Sequence, residues 1–289
     1  MKIDTCNAGF TVSCPAKINL FLNVLGKRSD GYHEIETVMQ TVSLSDTLRI
    51  EPASDLSIKV TPPIVPCDSN NLVIRAAELL REFTGTRLGA RIHLQKRIPV
   101  GGGLGGGSSD AAATLVGLAK LWQLRIGKEE LLPLATQLGA DVPFFLYGGT
   151  AACRGIGEIV TPLEWKCNAI YVLAIPRFSL STSLMYDKLD SNLTHAPIDS
   201  TLLYSAVSVI PFSVLISGLH NSFDTVASRY YSQLQDIKHV MIDNGAAAAM
   251  LSGSGSTVFG ACKDKDVAAK VAEKVSGLVE RAEVVRPVT

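Results

Sequence analysis

The chain has 289 residues, 47% hydrophobic and 19% charged, with 27 basic residues balancing 27 acidic ones. That length and apolar content suit two lobes with large cores and exclude wholesale disorder. Balanced charge, with no block of one sign and no basic stripe interleaved with aromatics, gives no electrostatic case for nucleic acid or a membrane surface as the main partner.

No apolar run reaches the ~18 residues of a membrane helix. The greasiest stretch, Ala206 to Leu219, is broken by Ser208, Pro211, Ser213 and Ser217. The N-terminus lacks the apolar core of a signal peptide. Cys6, Cys14, Cys67, Cys153, Cys167 and Cys262 form no C-x-x-C pair. Free thiols in a cytoplasmic protein are therefore expected. The histidines show no H-x-x-x-H pair, so no dedicated metal site is expected.

In chain order, Thr11–Ser13 and Ile18–Leu25 read as strands around a polar insertion, and Thr47–Pro52 and Ser57–Thr61 alternate as half-buried strands. A helix opens after Asn70 or Asn71 and runs to Phe83. Ala90–Gln95 is a strand, followed by a glycine loop and a helix from about Ser109 to Leu124 that is apolar on nearly every face. A helix near Lys128–Leu138 stops at Gly139. Further on come a strand (Ala169–Ile175), a long helix (Ser222–Asp243), strands Ala247–Leu251 and Thr257–Ala261, a helix (Asp264–Val275) and a last strand (Ala282–Pro287). Strand, helix, strand, strand, helix, strand is the ferredoxin-like order.

The sharpest feature is the loop Pro99, Val100, Gly101, Gly102, Gly103, Leu104, Gly105, Gly106, Gly107, Ser108, Ser109. So many glycines are costly unless the backbone must curl tightly or approach a ligand closely. Opening a helix, such a loop offers free N–H groups and the positive end of the helix dipole, the features that bind a polyphosphate. Ser108 and Ser109 are candidate caps and phosphate contacts. A Walker A loop is excluded because no Gly-Lys-Ser/Thr follows. Gly101, Gly103 and Gly106 satisfy G-x-G-x-x-G, but its acidic partner would fall near Glu129 and Glu130, at a helix start rather than a strand end. Lys96 and Arg97 also stand where a first Rossmann strand should be buried.

Pro99 to Ser109 resembles the second signature of the GHMP small-molecule kinases, without a gap. Pro15-Ala-Lys-Ile-Asn-Leu20 resembles their first signature, and Leu251-Ser-Gly-Ser-Gly-Ser-Thr257 their third, in the expected order. The resemblance implies an α+β, two-lobed fold. Residues 1–160 would form an N-terminal mixed α/β, ATP-binding lobe of ribosomal-protein-S5-like character. Residues 161–289 would form a C-terminal ferredoxin-like, substrate-binding lobe whose last strands pack back on the first, with the active site in the cleft between them. ATP is the implied co-substrate, with Mg²⁺ carried by it and no protein ligand assigned.

Phosphoryl transfer needs positioning, charge stabilisation and a carboxylate near the attacking hydroxyl. Asp141, in Gly139-Ala-Asp-Val-Pro143 and followed by apolar Phe144 and Phe145, is that candidate. The alternative is that it only caps the next helix. The resemblance makes Asp141 the base and Lys17 its partner beside the accepting hydroxyl. Lys17 and Asn19 share one side of a strand, and Asn19 is assigned to substrate. Ser252, Gly253, Ser254 and Gly255 form the third glycine turn. Arg28-Ser-Asp-Gly-Tyr-His33 resembles the branch of the family that phosphorylates the 2-hydroxyl of a cytidine-diphosphate-linked methylerythritol in isoprenoid synthesis. By that resemblance His33 hydrogen-bonds cytosine, Tyr32 stacks on it, and Tyr186 is the second stacking ring. Another GHMP kinase acting on homoserine, mevalonate or a sugar, and a non-catalytic nucleotide-binding protein, are the other readings. Oligomeric state has no signal in the sequence.

Overall fold

A computed structural model describes residues 1–6, 9–166, 168–191 and 209–288; the Cys6 side chain, Cys167 and the start of the Ala206–Leu219 stretch lie outside the description. Two compact units emerge, each assembled from separated stretches. One comprises Met1–Ala16, Leu44–Val100 and Gly105–Gly148; the other comprises Lys17–Ser43, Gly101–Leu104 and Gly149–Thr289. This differs from a single cut at residue 160, because two long strands each contribute to both units.

In the first unit, β1 (Ile3–Cys6) pairs antiparallel with the start of β2 (Gly9–Lys27). The second half of β3 (His33–Ala53) and β4 (Leu56–Thr61) both pair with β5 (Gly89–Gln95), antiparallel and parallel respectively. Helix α1 (Leu72–Thr84) is started by Asn71, whose side chain accepts from Val73 N, and stopped by Gly85 in the left-handed region. It packs on α2 (Gly106–Leu121), which buries Ala111, Ala112, Ala113, Leu115 and Leu118. Just past the end of α2, Trp122 Nε1 donates to Gly89 O at 3.0 Å. Helices α3 (Lys128–Leu138) and α4 (Val142–Tyr147) complete this unit.

Two sequence expectations are corrected here. β2 is one continuous strand with no insertion: Cys14, Ala16 and Ile18 are fully buried along it, and the head of Lys17 is satisfied by hydrogen bonding, so a polar residue does not break the strand. β3 is 21 residues long, and its first half escapes the alternation rule. Thr37, Gln40 and Thr41 are buried in consecutive company, each hydrogen-bonded to backbone carbonyls, so polarity no longer marks exposure.

In the second unit, β6 (Thr150–Arg154) pairs with the first half of β3 and with β7 (Ile159–Leu163). β8 (Ile170–Ile175) is followed by α5 (Thr182–Asp190), α6 (Phe212–Gly218) and β9 (His220–Asn221), a two-residue strand that pairs with β2 at Phe21 and Leu22. The expected long helix is two: α7 (Phe223–Tyr230) and α8 (Ser232–Asp243) meet at Tyr231, whose φ of −137° and ψ of 76° leave the helical region. A Lys238–Asp224 ion pair of 2.7 Å ties α8 back to α7. β10 (Ala248–Leu251), β11 (Val258–Cys262), α9 (Lys265–Val275) and β12 (Arg281–Val285) follow. The four-stranded sheet runs β10-β11-β8-β12, antiparallel throughout, which is the ferredoxin-like arrangement. Met185, Phe223, Leu234, Ile237, Met241 and Val271 are in its core. Beyond β12, Ser43 N donates to Arg286 O and Val288 N to Thr41 O, so the C-terminal residues return to β3.

The cysteines described with side chains (Cys14, Cys67, Cys153 and Cys262) form no disulfide among the described residues. No helix among the described residues is long and apolar enough to cross a membrane.

Candidate active site

Three stretches far apart in sequence, two of them glycine-rich, converge in the second unit. Lys17 N donates to Leu104 O at 3.0 Å, Thr257 N to Gly102 O at 3.2 Å, and Ser252 Oγ to Gly103 O at 2.9 Å. Three successive carbonyls of the loop are thus taken by the first and third motifs. Gly103, with φ of 75°, comes so close to the third motif that an added Cβ would lie 2.0 Å from Ser252 O. The third turn closes on itself through Ser252 N→Thr257 O and Gly255 N→Ser252 O. Buried Asn221 supports it, its Nδ2 donating to Leu251 O and Gly253 O at 2.9 Å each. Ser254 Oγ bonds Thr182 Oγ1, and Ser256 Oγ donates to Phe178 O.

Beneath that turn lies a polar chain on β2 and β3. Lys17 is 4% exposed; its Nζ donates to Asn19 Oδ1 at 2.6 Å, and Asn19 Nδ2 donates to Thr37 Oγ1 at 2.8 Å. Thr37 in turn donates to Phe21 O at 2.6 Å. A side chain at Gly253 would begin 3.3 Å from Lys17 Nζ. Asn19 therefore orients the ammonium, and the bare turn at Gly253 leaves room beside it.

In the first unit the loop continues as the start of α2. The helix begins at Gly106 with Gly105 as its N-cap, and no side chain caps it. This corrects the assignment of Ser108 and Ser109 as caps: both lie inside the first turn. Ser109 Oγ is buried without a hydrogen-bond partner among the described residues, as a hydroxyl held for a ligand would be. An uncapped helix start with a buried, unsatisfied hydroxyl fits an anionic phosphate. Pro99 and Val100 lead into the loop, Val100 being exposed.

Asp141 is half-buried at the N-cap position of α4, but its carboxylate makes no capping hydrogen bond. Its φ of −81° and ψ of −12° are already helical, which removes the extended geometry a capping side chain needs.

The hairpin between β2 and β3 carries Tyr32 and His33. Tyr32 is exposed; its N–H donates to Asp30 Oδ1 at 3.1 Å, and this bond together with the Arg28 guanidinium holds Asp30 below the usual carboxylate range. His33 is buried, with Nε2 2.8 Å from Asp190 Oδ1, and its ring stacks on Tyr186 at 4.3 Å and 18°. Tyr186 meets Phe223 edge-on at 4.9 Å. Tyr186 and Asp190 stand four residues apart on α5, so one helical face supplies both partners of His33. Partial burial works against ionisation of Asp190, but hydrogen bonds from His33 and Lys27 more than offset it and hold the carboxyl below its ordinary value. The structure thus brings His33 and Tyr186 together and leaves Tyr32 on the turn. Asp190 and Asn221 were missed by sequence reasoning; neither belongs to a motif, and no local signal marks them.

Two family profiles match: GHMP kinases N terminal domain over residues 71–149 and GHMP kinases C terminal over residues 211–280. The matches define the class and fall on either side of residue 160. A 4-diphosphocytidyl-2-C-methyl-D-erythritol kinase of Alkaliphilus metalliredigens is 41% identical over 273 residues, covering 94% of each chain. The crystal structure of a 4-(cytidine 5'-diphospho)-2C-methyl-D-erythritol kinase superposes with a TM-score of 0.80 at 36% identity, over 96% of this chain and 99% of that one. A Methanococcus jannaschii mevalonate kinase reaches a TM-score of 0.75 over 99% and 100% of the two chains, but at 12% identity it speaks for the fold alone. This chain belongs to the GHMP kinases and, within them, to the family of the 4-diphosphocytidyl-2-C-methyl-D-erythritol kinases.

Proposed function

We propose that the chain transfers the γ-phosphate of ATP to the 2-hydroxyl of 4-diphosphocytidyl-2-C-methyl-D-erythritol, a step of the non-mevalonate isoprenoid pathway. The observation that carries this reading is 41% identity, across 94% of both chains, to a relative of that name. The buried Lys17–Asn19–Thr37 chain and the uncapped start of α2 supply chemistry that suits it.

In this reading residues 1–160 supply the glycine loop for ATP and also Lys17, Asn19, Tyr32, His33 and Asp141 for the acceptor, while residues 161–289 add Tyr186 and the third glycine turn. Gly105, Gly106, Gly107 and Ser108 offer N–H groups, and Ser108 and Ser109 hydroxyls, to the phosphates, where donors fixed in advance cost no reorganisation during reaction; the Ser109 N–H is already given to Gly105 O. Mg²⁺ arrives with ATP and keeps several waters. No protein ligand is assigned to it. Asp141 accepts the proton of the attacking hydroxyl. Lys17, oriented by Asn19, offsets negative charge as it develops. His33 reads the cytosine edge; Asp190 holds its Nε2, so Nδ1 is the nitrogen left to face the base. Tyr32 and Tyr186 provide aromatic faces for the ring. The reaction runs in the cytoplasm, where thiols such as Cys14 and Cys262 stay out of disulfides.

An ADP-release assay over a panel of acceptor alcohols tests the substrate. The cytidine-bearing acceptor should turn over fastest, and a preference for homoserine, mevalonate or a sugar would refute the assignment. Asp141→Asn should lower turnover by about 10²–10⁴-fold with ATP binding retained; a near-normal kcat would show that this carboxylate is not the base. His33→Ala should raise KM for the cytidine-bearing acceptor by roughly 5- to 150-fold, and an equal effect on ATP would remove His33 from the acceptor site.

A further inference from the structure

Lys96 and Arg97 stand at the end of β5, immediately before the glycine loop, and Lys96 is only 7% exposed. Its Nζ donates to Asp46 Oδ2 at 2.5 Å and to Asp110 Oδ2 at 2.8 Å. Asp46, fully buried on β3, accepts at its other oxygen from the backbone N–H of Arg97 and, at 2.8 Å, from that of Ile98. Asp110 is the residue after Ser109, in the first turns of α2. One ammonium therefore pins both ends of the loop: through Asp46 it holds the backbone just before Pro99, and through Asp110 it holds the helix just after Ser109. The first helical residue rests on this cluster, since a Cβ at Gly106 would lie 3.2 Å from Lys96 Nζ and 2.9 Å from Ile98 Cγ2.

A buried cluster of two carboxylates and one ammonium is a poor way to gain stability alone, because desolvating three charges costs more than packing apolar groups of the same volume. It is a good way to fix geometry. A glycine-rich segment loses more conformational freedom on ordering than any other, and anchoring both ends reduces what a ligand must order. The groups facing Asp110 are Cys14 on β2, Asp46 on β3 and Lys96. Burial raises Asp110 to about 7, with Lys96 opposing the rise and Asp46 adding to it. Burial also pushes the Cys14 thiol well up, so it adds no charge to the cluster.

We propose that Lys96, Asp46 and Asp110 are positioning residues that hold the helix end of the glycine loop in its nucleotide-binding shape, so that ATP affinity depends on them and acceptor affinity does not. The inference rests on the kinase reading above. Its test is calorimetric titration of ATP, with KM for both substrates, in wild type, Lys96→Met and Asp110→Asn. Folded Lys96→Met should weaken ATP binding about ten-fold or more while the acceptor KM stays within about two-fold. Asp110→Asn, which keeps the shape and one acceptor oxygen, should show a smaller loss in the same direction. Unchanged ATP affinity in the variants, or equal rises in both KM values, overturns the inference. Should Lys96→Met not fold, Asp110→Asn decides on the same two criteria. A wild type that binds no ATP would refute the kinase reading itself, whereas normal wild-type binding with unaffected variants refutes only the positioning role.

Discussion

The two halves of the glycine loop use the same residue type for opposite ends. From Gly102 to Leu104 the carbonyls are consumed by the protein itself, bonded by Thr257, Ser252 and Lys17, and Gly103 is bare because the backbone at Ser252 occupies the space of a side chain. From Gly105 to Ser109 the chain opens a helix without a cap, and Ser109 Oγ has no partner among the described residues. The first half is filled by tertiary structure; the second keeps an uncapped helix start and a hydroxyl the described residues do not use, as a phosphate site would need. A run of glycines thus reports nothing by itself about which backbone groups a phosphate can reach. That depends on which of them are already spent.

Substitutions along the loop can break or sharpen this contrast. The largest effect is expected at Gly103. Alanine there would carry φ of 75° and place Cβ on a backbone oxygen that cannot move without displacing the third turn. Gly103→Ala should destabilise the fold by about 3 kcal/mol or more. A melting temperature equal to wild type would mean that the first half is not packed as described. Ser252→Ala removes one hydrogen bond to Gly103 O and leaves that carbonyl with less company; a loss of about 1 kcal/mol in chemical denaturation is expected, and no loss would assign the turn's closure to its backbone bonds alone. The smallest effect on stability is expected at Gly107, exposed in the first turn of α2, where an added Cβ meets only Leu72 Cδ1 at 3.4 Å. Gly107→Ala should leave stability within about 0.5 kcal/mol of wild type or raise it slightly, as helix propensity favours alanine. Its KM for ATP should rise all the same. A stable variant with unchanged ATP kinetics would erase the distinction between the halves.

Local features were legible in the sequence because their causes are local. Asn71 caps α1, and Asp264 caps α9 by accepting from Val267 N. The βαββαβ order of the C-terminal part emerges in the β10-β11-β8-β12 sheet. The three motifs were also readable, and the structure joins the first and third to the loop between them. The helix break at Tyr231 was not legible: Tyr230, Tyr231 and Ser232 include no glycine or proline to announce it. The first half of β3 was hidden by buried threonines and a glutamine whose partners lie elsewhere in the chain.

By itself the sequence determined the class of fold, and it offered a candidate phosphate loop and the candidates Lys17, Asn19, His33 and Asp141, since each rests on residue type, order and spacing. Only the tertiary structure decided which partners those residues have. Asp190 reaches His33 across 157 positions and Asp46 reaches Lys96 across 50. Nothing local distinguishes such carboxylates from solvated ones, because what makes them matter is burial beside a particular cation or ring, and burial is a property of the packed chain.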